Sequence, residues 1–371
     1  MNRLVASSSS LSSEVSNANA SVLGRMGFAV LLAASLLVTI AGCDSKAPPA
    51  ETTPKSAPPA GVSAGEAKPA ATQTATQAAG TQGKKAYDHT GWPKTIRMGL
   101  VPAEGNADTK SRWAPLGEAL EKGLGVPVEL ISASTYQGII TAMGNDQLEF
   151  AYLGPKSYIE AANRAKAEAL LVEKDLKGEP GYHCIFIVPA SSAINNIKDA
   201  AGKKFAFTDV NSTSGYLVPA VTLIDLLGKP ADKFFGQVTF SGSHSASLLQ
   251  VAAGEIDIAA TNDLDMNAAI ASGTAKADAV RVIYTSEMIP GSPIACRKDI
   301  PQSLKDAYVD VVLEMSKDKA TIEKLHNGGF EKITDQQFDV MRAAQKFLDS
   351  QSNADSQSKP DSPTPAPKPA G

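Results

Sequence analysis

Between residues 95 and 350, short apolar runs alternate with stretches of helical periodicity, and this alternation restricts the chain to α/β architectures. Ile96 to Pro102 reads as a strand, followed by a helix through Trp113, Leu116, Leu120 and Leu124 and a strand from Val126 to Ser132. Tyr136 to Met143 reads as a helix, Phe150 to Leu153 as a strand and Pro155 to Ala165 as a helix. A second cycle starts at Ile185 to Val188 and runs through Phe205, the apolar run Tyr216 to Leu227, the strand Val238 to Phe240, the helix Ser245 to Ala253 and the strand Ile256 to Ala260. Strands at Arg281 to Tyr284 and Pro293 to Arg297 and helices at Gln302 to Ser316 and Asp335 to Leu348 complete it. The βαβ rhythm predicts a mainly parallel sheet. Two such units with long connections predict two lobes, with a ligand outside the carboxyl ends of the strands. Residues 95–188 with 282–350 are assigned to lobe 1 and 189–281 to lobe 2.

The ends of the chain are of different composition. Phe28 to Ile40 is apolar, follows Arg25 and precedes Ala41, Gly42 and Cys43, which resembles a bacterial lipoprotein signal peptide over residues 1–43 with Cys43 as the lipidated residue. The alternative, an uncleaved anchor, is disfavoured because the apolar run is shorter than the roughly 18 residues of a spanning helix. The Ser-rich segment before Arg25 is long for such a signal and leaves open a start at Met26. Residues 44–94 collapse into Ala, Pro, Thr, Gln, Ser and Lys and read as a disordered tether, with a reach on the order of 40 Å. Residues 351–371 read as a disordered tail.

The formal net charge is −4 and no basic stripe with interleaved aromatics occurs, which argues against a nucleic-acid partner. The Lys-rich positions are scattered and read as solvated faces. His89, His183, His244 and His326 have no metal-ligand spacing, and there is neither a phosphate-binding GxxxxGK[ST] loop nor a GxSxG elbow. No enzyme, metal or cofactor is expected. The chemically suggestive segment is Asn211-Ser212-Thr213-Ser214-Gly215, a hydroxyl-rich turn at a helix start. The free N–H groups of a helix's first turn, joined by Ser and Thr hydroxyls, can surround an oxyanion without a positive side chain. The same residues also serve as an ordinary N-cap.

Several ordered motifs carry a resemblance: Gly99 to Pro102, Trp113 to Leu116, Gly125 to Val128, Tyr136 to Gly138, Leu153 to Pro155, Asn211 to Pro219, Gly242 to His244 and Ile289 to Pro293. Together they resemble the substrate-binding component of phosphate, phosphite and phosphonate ABC transporters over about residues 95–345. The resemblance implies a bilobed periplasmic-binding-protein fold of type II-like topology, two α/β lobes joined by crossover hinge strands, that closes around its ligand. It implies an extracytoplasmic, lipid-anchored monomer that delivers a phosphorus oxyanion to an ABC permease and its ATPase; a ligand-sensing lipoprotein that reports to a membrane receptor is the alternative. It places the anion cradle on Ser212, Thr213 and Ser214, with Tyr136 from the other lobe and His244 nearby. Tyr152 flanks the Leu153-Gly154-Pro155 turn. Relatives that bind aminoalkylphosphonates have an acid where this chain has Ser292, and a second family acid falls on Asp265 or Asp263. In this fold class Cys184 and Cys296 lie near the lobe crossings, so a disulfide between them is expected as one of two outcomes, the other being two buried thiols.

Overall fold

The structure is a computed structural model that describes residues 86–357. The signal peptide, Cys43 and most of the tether expected from the sequence lie outside the described residues, as do residues 358–371. In chain order the elements are β1 (Ile96–Leu100), α1 (Asn106–Leu124), β2 (Val128–Ser132), α2 (Tyr136–Gly144), β3 (Phe150–Tyr152), α3 (Pro155–Ala165), β4 (Ala167–Glu173), β5 (Gly181–Tyr182) and β6 (Cys184–Pro189). Then follow β7 (Lys204–Phe207), α4 (Val218–Leu227), β8 (Gln237–Phe240), α5 (His244–Ala252), β9 (Ile258–Asn262), α6 (Asp263–Ala271) and β10 (Val280–Thr285). The chain closes with β11 (Ile289–Pro290), β12 (Pro293–Arg297), α7 (Gln302–Met315), α8 (Lys319–Leu325), β13 (Phe330–Lys332) and α9 (Asp339–Gln357).

The strands form a six-stranded sheet in the order β13-β4-β12-β3-β1-β2 and a five-stranded sheet in the order β10-β6-β9-β7-β8. Each sheet is the centre of one lobe. Between them the chain crosses twice, at β5 and β11, which pair antiparallel through Tyr182 with Ile289 and Gly181 with Pro290. Only β1 with β2 and β3, and β7 with β8 and β9, run parallel; β4, β6, β10, β12 and β13 pair antiparallel with their neighbours. The sheets are thus mixed, not mainly parallel. Strands that arrive from the other lobe enter a sheet in the reverse sense, and their apolar runs look the same in either direction. The pairing also moves the lobe boundary: β6 and β10 belong wholly to the five-stranded sheet, so the crossings lie at 181–182 and 289–290 and not at 188 and 282.

Two end assignments change as well. Residues 86–94 are not all tether, because Tyr87 and Trp92 pack on the main core and Trp92 Nε1 donates to Ser303 Oγ at 2.9 Å. Likewise α9 continues through Gln357, past the expected start of the tail at 351. In the second lobe β6 shows how the core is divided. Cys184, Phe186 and Val188 face the main core, where Phe186 meets Phe205 edge-on at 5.9 Å, while Ile185 and Ile187 face a smaller cluster with Leu248 and Val251 of α5 and Ala269 of α6. The sheet is therefore covered by helices on both faces.

Cys184 and Cys296 are both free and buried, so of the two outcomes left open the structure has the pair of buried thiols. From the paired crossing strands they leave in opposite directions. Cys184 pairs with Asn262 in the five-stranded sheet and Cys296 with Phe150 and Glu168 in the six-stranded sheet, beyond the ~7 Å Cα limit of a bridge.

Candidate functional site

The strand ends meet across a cleft. Val101 and Ala103 follow β1, Tyr136 follows β2, Tyr152 and Gly154 stand at the end of β3, Ser212 to Ser214 follow β7, His244 follows β8, Asn262 ends β9, and Leu264 and Asp265 lie in the first turn of α6. With Tyr182 from β5 and Ser292 from the turn between β11 and β12, these residues line one pocket. About 20 Å³ of it is open to the centre of a water molecule. Tyr136, Tyr152, Ser212, Thr213, Ser214, His244, Asp265 and Ser292 are thereby brought together, and no Lys or Arg is among the lining residues.

Ser212 caps the helix start: its Oγ accepts the Gly215 N–H at 3.0 Å, and a single π-helical turn over Thr213–Leu217 leads into α4. The cap reading of this segment therefore holds, and the capped turn lines the pocket. Gly215 is required by close approach, since a Cβ there would lie 2.2 Å from Thr208 Cβ. The hydroxyls are oriented by bonds they accept. Thr213 Oγ1 receives the Lys156 N–H of α3 at 2.8 Å, and Ser214 Oγ receives Asn262 Nδ2 at 3.3 Å. A hydroxyl that accepts one bond keeps its own proton to give, so Thr213 and Ser214 can donate into the cleft beside the first N–H groups of the turn.

Three tyrosines complete the wall. Burial, reinforced by Asp265, pushes the Tyr136 hydroxyl well above its ordinary pKa, which keeps it a donor. Burial likewise raises Tyr182, whose hydroxyl lies against Ser214 and Thr213. Tyr152 is fixed from two sides: Trp113 packs on its ring at 4.2 Å and its hydroxyl donates to Glu173 Oε2 at 2.5 Å. His244 is buried at the first position of α5, with Nδ1 3.0 Å from Thr261 Oγ1 and Nε2 3.3 Å from Ser212 Oγ. Burial lowers its pKa against the opposing pull of Asp265, so the imidazole is neutral at neutral pH.

Behind the wall lies a charged group. Arg112 of α1, its side chain 6% exposed, pairs with Glu104, with Glu173 at 3.3 Å and, across the cleft, with Asp265 Oδ1 at 3.1 Å. Asp265 is further held by Asn262, which accepts the Asp265 N–H and donates Nδ2 to its Oδ2, both at 2.7 Å. Of the two acids considered, Asp265 lines the pocket. Asp263 instead accepts the His183 N–H at 2.9 Å beside the crossing. The lobes also touch where the N–H of His244 donates to Ala103 O at 2.8 Å and Ser157 Oγ to Asn211 O at 2.8 Å. These bonds hold the cleft shut.

The sequence reading missed Tyr182, Asn262, Arg112 and Glu173. Tyr182 sits in a two-residue strand too short to register, and Arg112, in Lys110-Ser111-Arg112, looks like part of a solvated face. Asn262 had one legible sign, an Asx residue three before an acid at a helix start.

Two α/β lobes joined by paired crossing strands, with a polar, hydroxyl-rich cleft between them, define a bilobed solute-binding protein. Residues 98–338 match the family of periplasmic substrate-binding proteins of phosphonate ABC transporters, and the chain belongs to that family. It is 31% identical over 265 residues to the phosphonates-binding periplasmic protein of Escherichia coli (strain K12), covering 70% of this chain and 78% of that one. To the phosphate-import protein PhnD of Mycolicibacterium smegmatis it is 34% identical over 249 residues, covering 65% and 76%. The crystal structure of a binding-protein component of an ABC phosphonate transporter from Pseudomonas aeruginosa superposes with a TM-score of 0.66 at 28% identity, over 70% of this chain and 88% of that one. The family consists of substrate-binding transport components, and its periplasmic members support an extracytoplasmic location.

Proposed function

We propose that the cleft captures one small phosphorus oxyanion, with Ser212, Thr213 and Ser214 as its cradle and Tyr136, Tyr152, His244, Asp265 and Ser292 as the surrounding wall, and that the loaded protein delivers it to an ABC permease and its ATPase. The observation that carries this reading is the convergence of neutral donors at the Ser212 helix start, in a pocket whose own lining residues include no Lys or Arg. Hydroxyls and N–H groups satisfy the several acceptor oxygens of a phosphonate or phosphite. The chain acts as a monomer, lipid-anchored through Cys43, with the tether setting its reach from the membrane.

Selectivity follows from what faces the far end of the cleft. An ammonium tail needs a carboxylate there, because an unpaired buried cation costs several kcal/mol. Ser292 supplies a hydroxyl, and the carboxylate of Asp265 stands beside the cradle rather than at the far end, with Oδ1 bound by Arg112 and Asn262 Nδ2 donating to Oδ2. The room is also small. Phosphite or methylphosphonate is therefore preferred over 2-aminoethylphosphonate. Calorimetry with phosphate, phosphite, methylphosphonate and 2-aminoethylphosphonate ranks these ligands. Tenfold tighter binding of the aminoalkyl compound than of methylphosphonate refutes the selectivity, and no binding of any of them refutes the function.

A further inference from the structure

A carboxylate stands beside the anion cradle, where donors alone would suffice for a fully ionised ligand. Asn262 Nδ2 lies 3.3 Å from Ser214 Oγ and 2.7 Å from Asp265 Oδ2. His244 Nε2 lies 3.3 Å from Ser212 Oγ and 3.8 Å from the same Oδ2. On each side a single nitrogen separates Asp265 Oδ2 from a cradle hydroxyl, so the carboxylate belongs to the oxyanion's own surroundings and is not placed a tail's length away. Oδ1 is taken by Arg112, whereas Oδ2, with one hydrogen bond accepted, retains acceptor capacity. Next to a bare dianion this oxygen is repulsive. Next to a P–OH group it accepts a strong, charge-assisted hydrogen bond.

The surroundings of Asp265 supply no second cation. Arg112 from α1 is shared with Glu104, after β1, and Glu173, at the end of β4. Tyr136, Tyr152 and Tyr182, from α2, β3 and β5, are kept protonated by burial, and His244 from α5 is kept neutral by it. The lining can therefore give many hydrogen bonds and little positive charge.

We propose that the cleft selects the phosphorus oxyanion in its singly protonated form, with Asp265 accepting the hydrogen bond of the P–OH group and Arg112 acting as the positioning residue that holds Asp265 in place across the lobe interface. The inference rests on the reading of the cleft as a phosphorus-oxyanion site. Because only the monoanion binds, apparent affinity scales with its fraction in solution.

The test is calorimetry of the protein with methylphosphonate at a series of pH values on both sides of the ligand's second ionisation, in two buffers of different ionisation enthalpy. Above that ionisation each pH unit is expected to weaken apparent affinity about tenfold, with about one proton taken up per ligand bound. Asp265→Asn, which keeps the shape of the side chain, is expected to abolish the uptake and flatten the profile. Arg112→Gln is expected to weaken binding and blunt the pH dependence, with Arg112→Lys restoring part of both; if the Gln variant does not fold, the Asp265→Asn profile decides. A flat profile without proton uptake in the unaltered protein overturns the proposal. So does an uptake that survives Asp265→Asn and vanishes in His244→Gln, which places the proton on the imidazole. Absence of binding by methylphosphonate, phosphite and phosphate at every pH overturns the underlying reading of the cleft, a result distinct from either of these.

Discussion

Thr213 and Ser214 each accept a bond from protein N–H, so what they offer the ligand is their own proton. Removing such a donor to a charged partner costs about 1.5–3 kcal/mol, or at least roughly tenfold in affinity. Thr213→Ala and Ser214→Ala are each expected to show that loss by calorimetry while the thermal midpoint stays within a few degrees. Ser292→Asp is expected to shift relative affinity toward 2-aminoethylphosphonate; unchanged ranking removes Ser292 from the selectivity account. The capped turn at Ser212 could be read in the sequence because an N-cap is local: its side chain serves N–H groups within three residues. Arg112 could not. Its three carboxylates come from the loop after β1, the end of β4 and α6, and only the tertiary fold brings them within reach. The choice between a disulfide and two buried thiols stayed open for the same reason, since closeness to a crossing in sequence gave no direction; thiol counting on the denatured, unreduced protein is expected to find Cys184 and Cys296 both free.

At the scale of elements, strongly bounded segments were legible. α3, opened by Pro155, and β12, bounded by Ser292 and Arg297, fall at their expected limits. β4 was not recognised because it follows α3 after a single left-handed residue, Lys166, with none of the usual turn chemistry. α6 was missed for a related reason: Asn262 ends β9 and caps the helix at once. The turn that joins β7 to α4 has no slack either. Gly215→Ala forces a methyl into Thr208, an overpacking of about 1–3 kcal/mol, and because Thr208 lies at the base of the cradle, binding is expected to fall together with the thermal midpoint. A midpoint unchanged by this substitution contradicts the close approach.

For the whole molecule, the buried His244 links the lobes' cleft to pH. Its pKa in the fold lies below the ordinary value of 6.5, so the unfolded state binds more protons as the pH drops through and below that value. Stability from this group is therefore present above about 6.5 and is lost on acidification. Thermal melts of the ligand-free protein are expected to show a falling midpoint in that window, with a shallower fall in His244→Gln. Ligand binding and closure are expected to act together, because Ser212 to Ser214 on one lobe and Tyr136 on the other line the same pocket, and the Lys156 N–H bonds Thr213 Oγ1 from one lobe to the other. An anion held by neutral groups at a helix start also has a characteristic insensitivity to salt, unlike an anion held by exposed Lys or Arg. The most direct measurement is accordingly a calorimetric titration of the protein and of its Thr213→Ala/Ser214→Ala double variant with methylphosphonate, at low and high ionic strength. Binding is expected to change little with salt and to fall at least about a hundredfold in the double variant; equal affinity in the two proteins, or no binding by the unaltered one, rules out the Ser212 turn as the anion site.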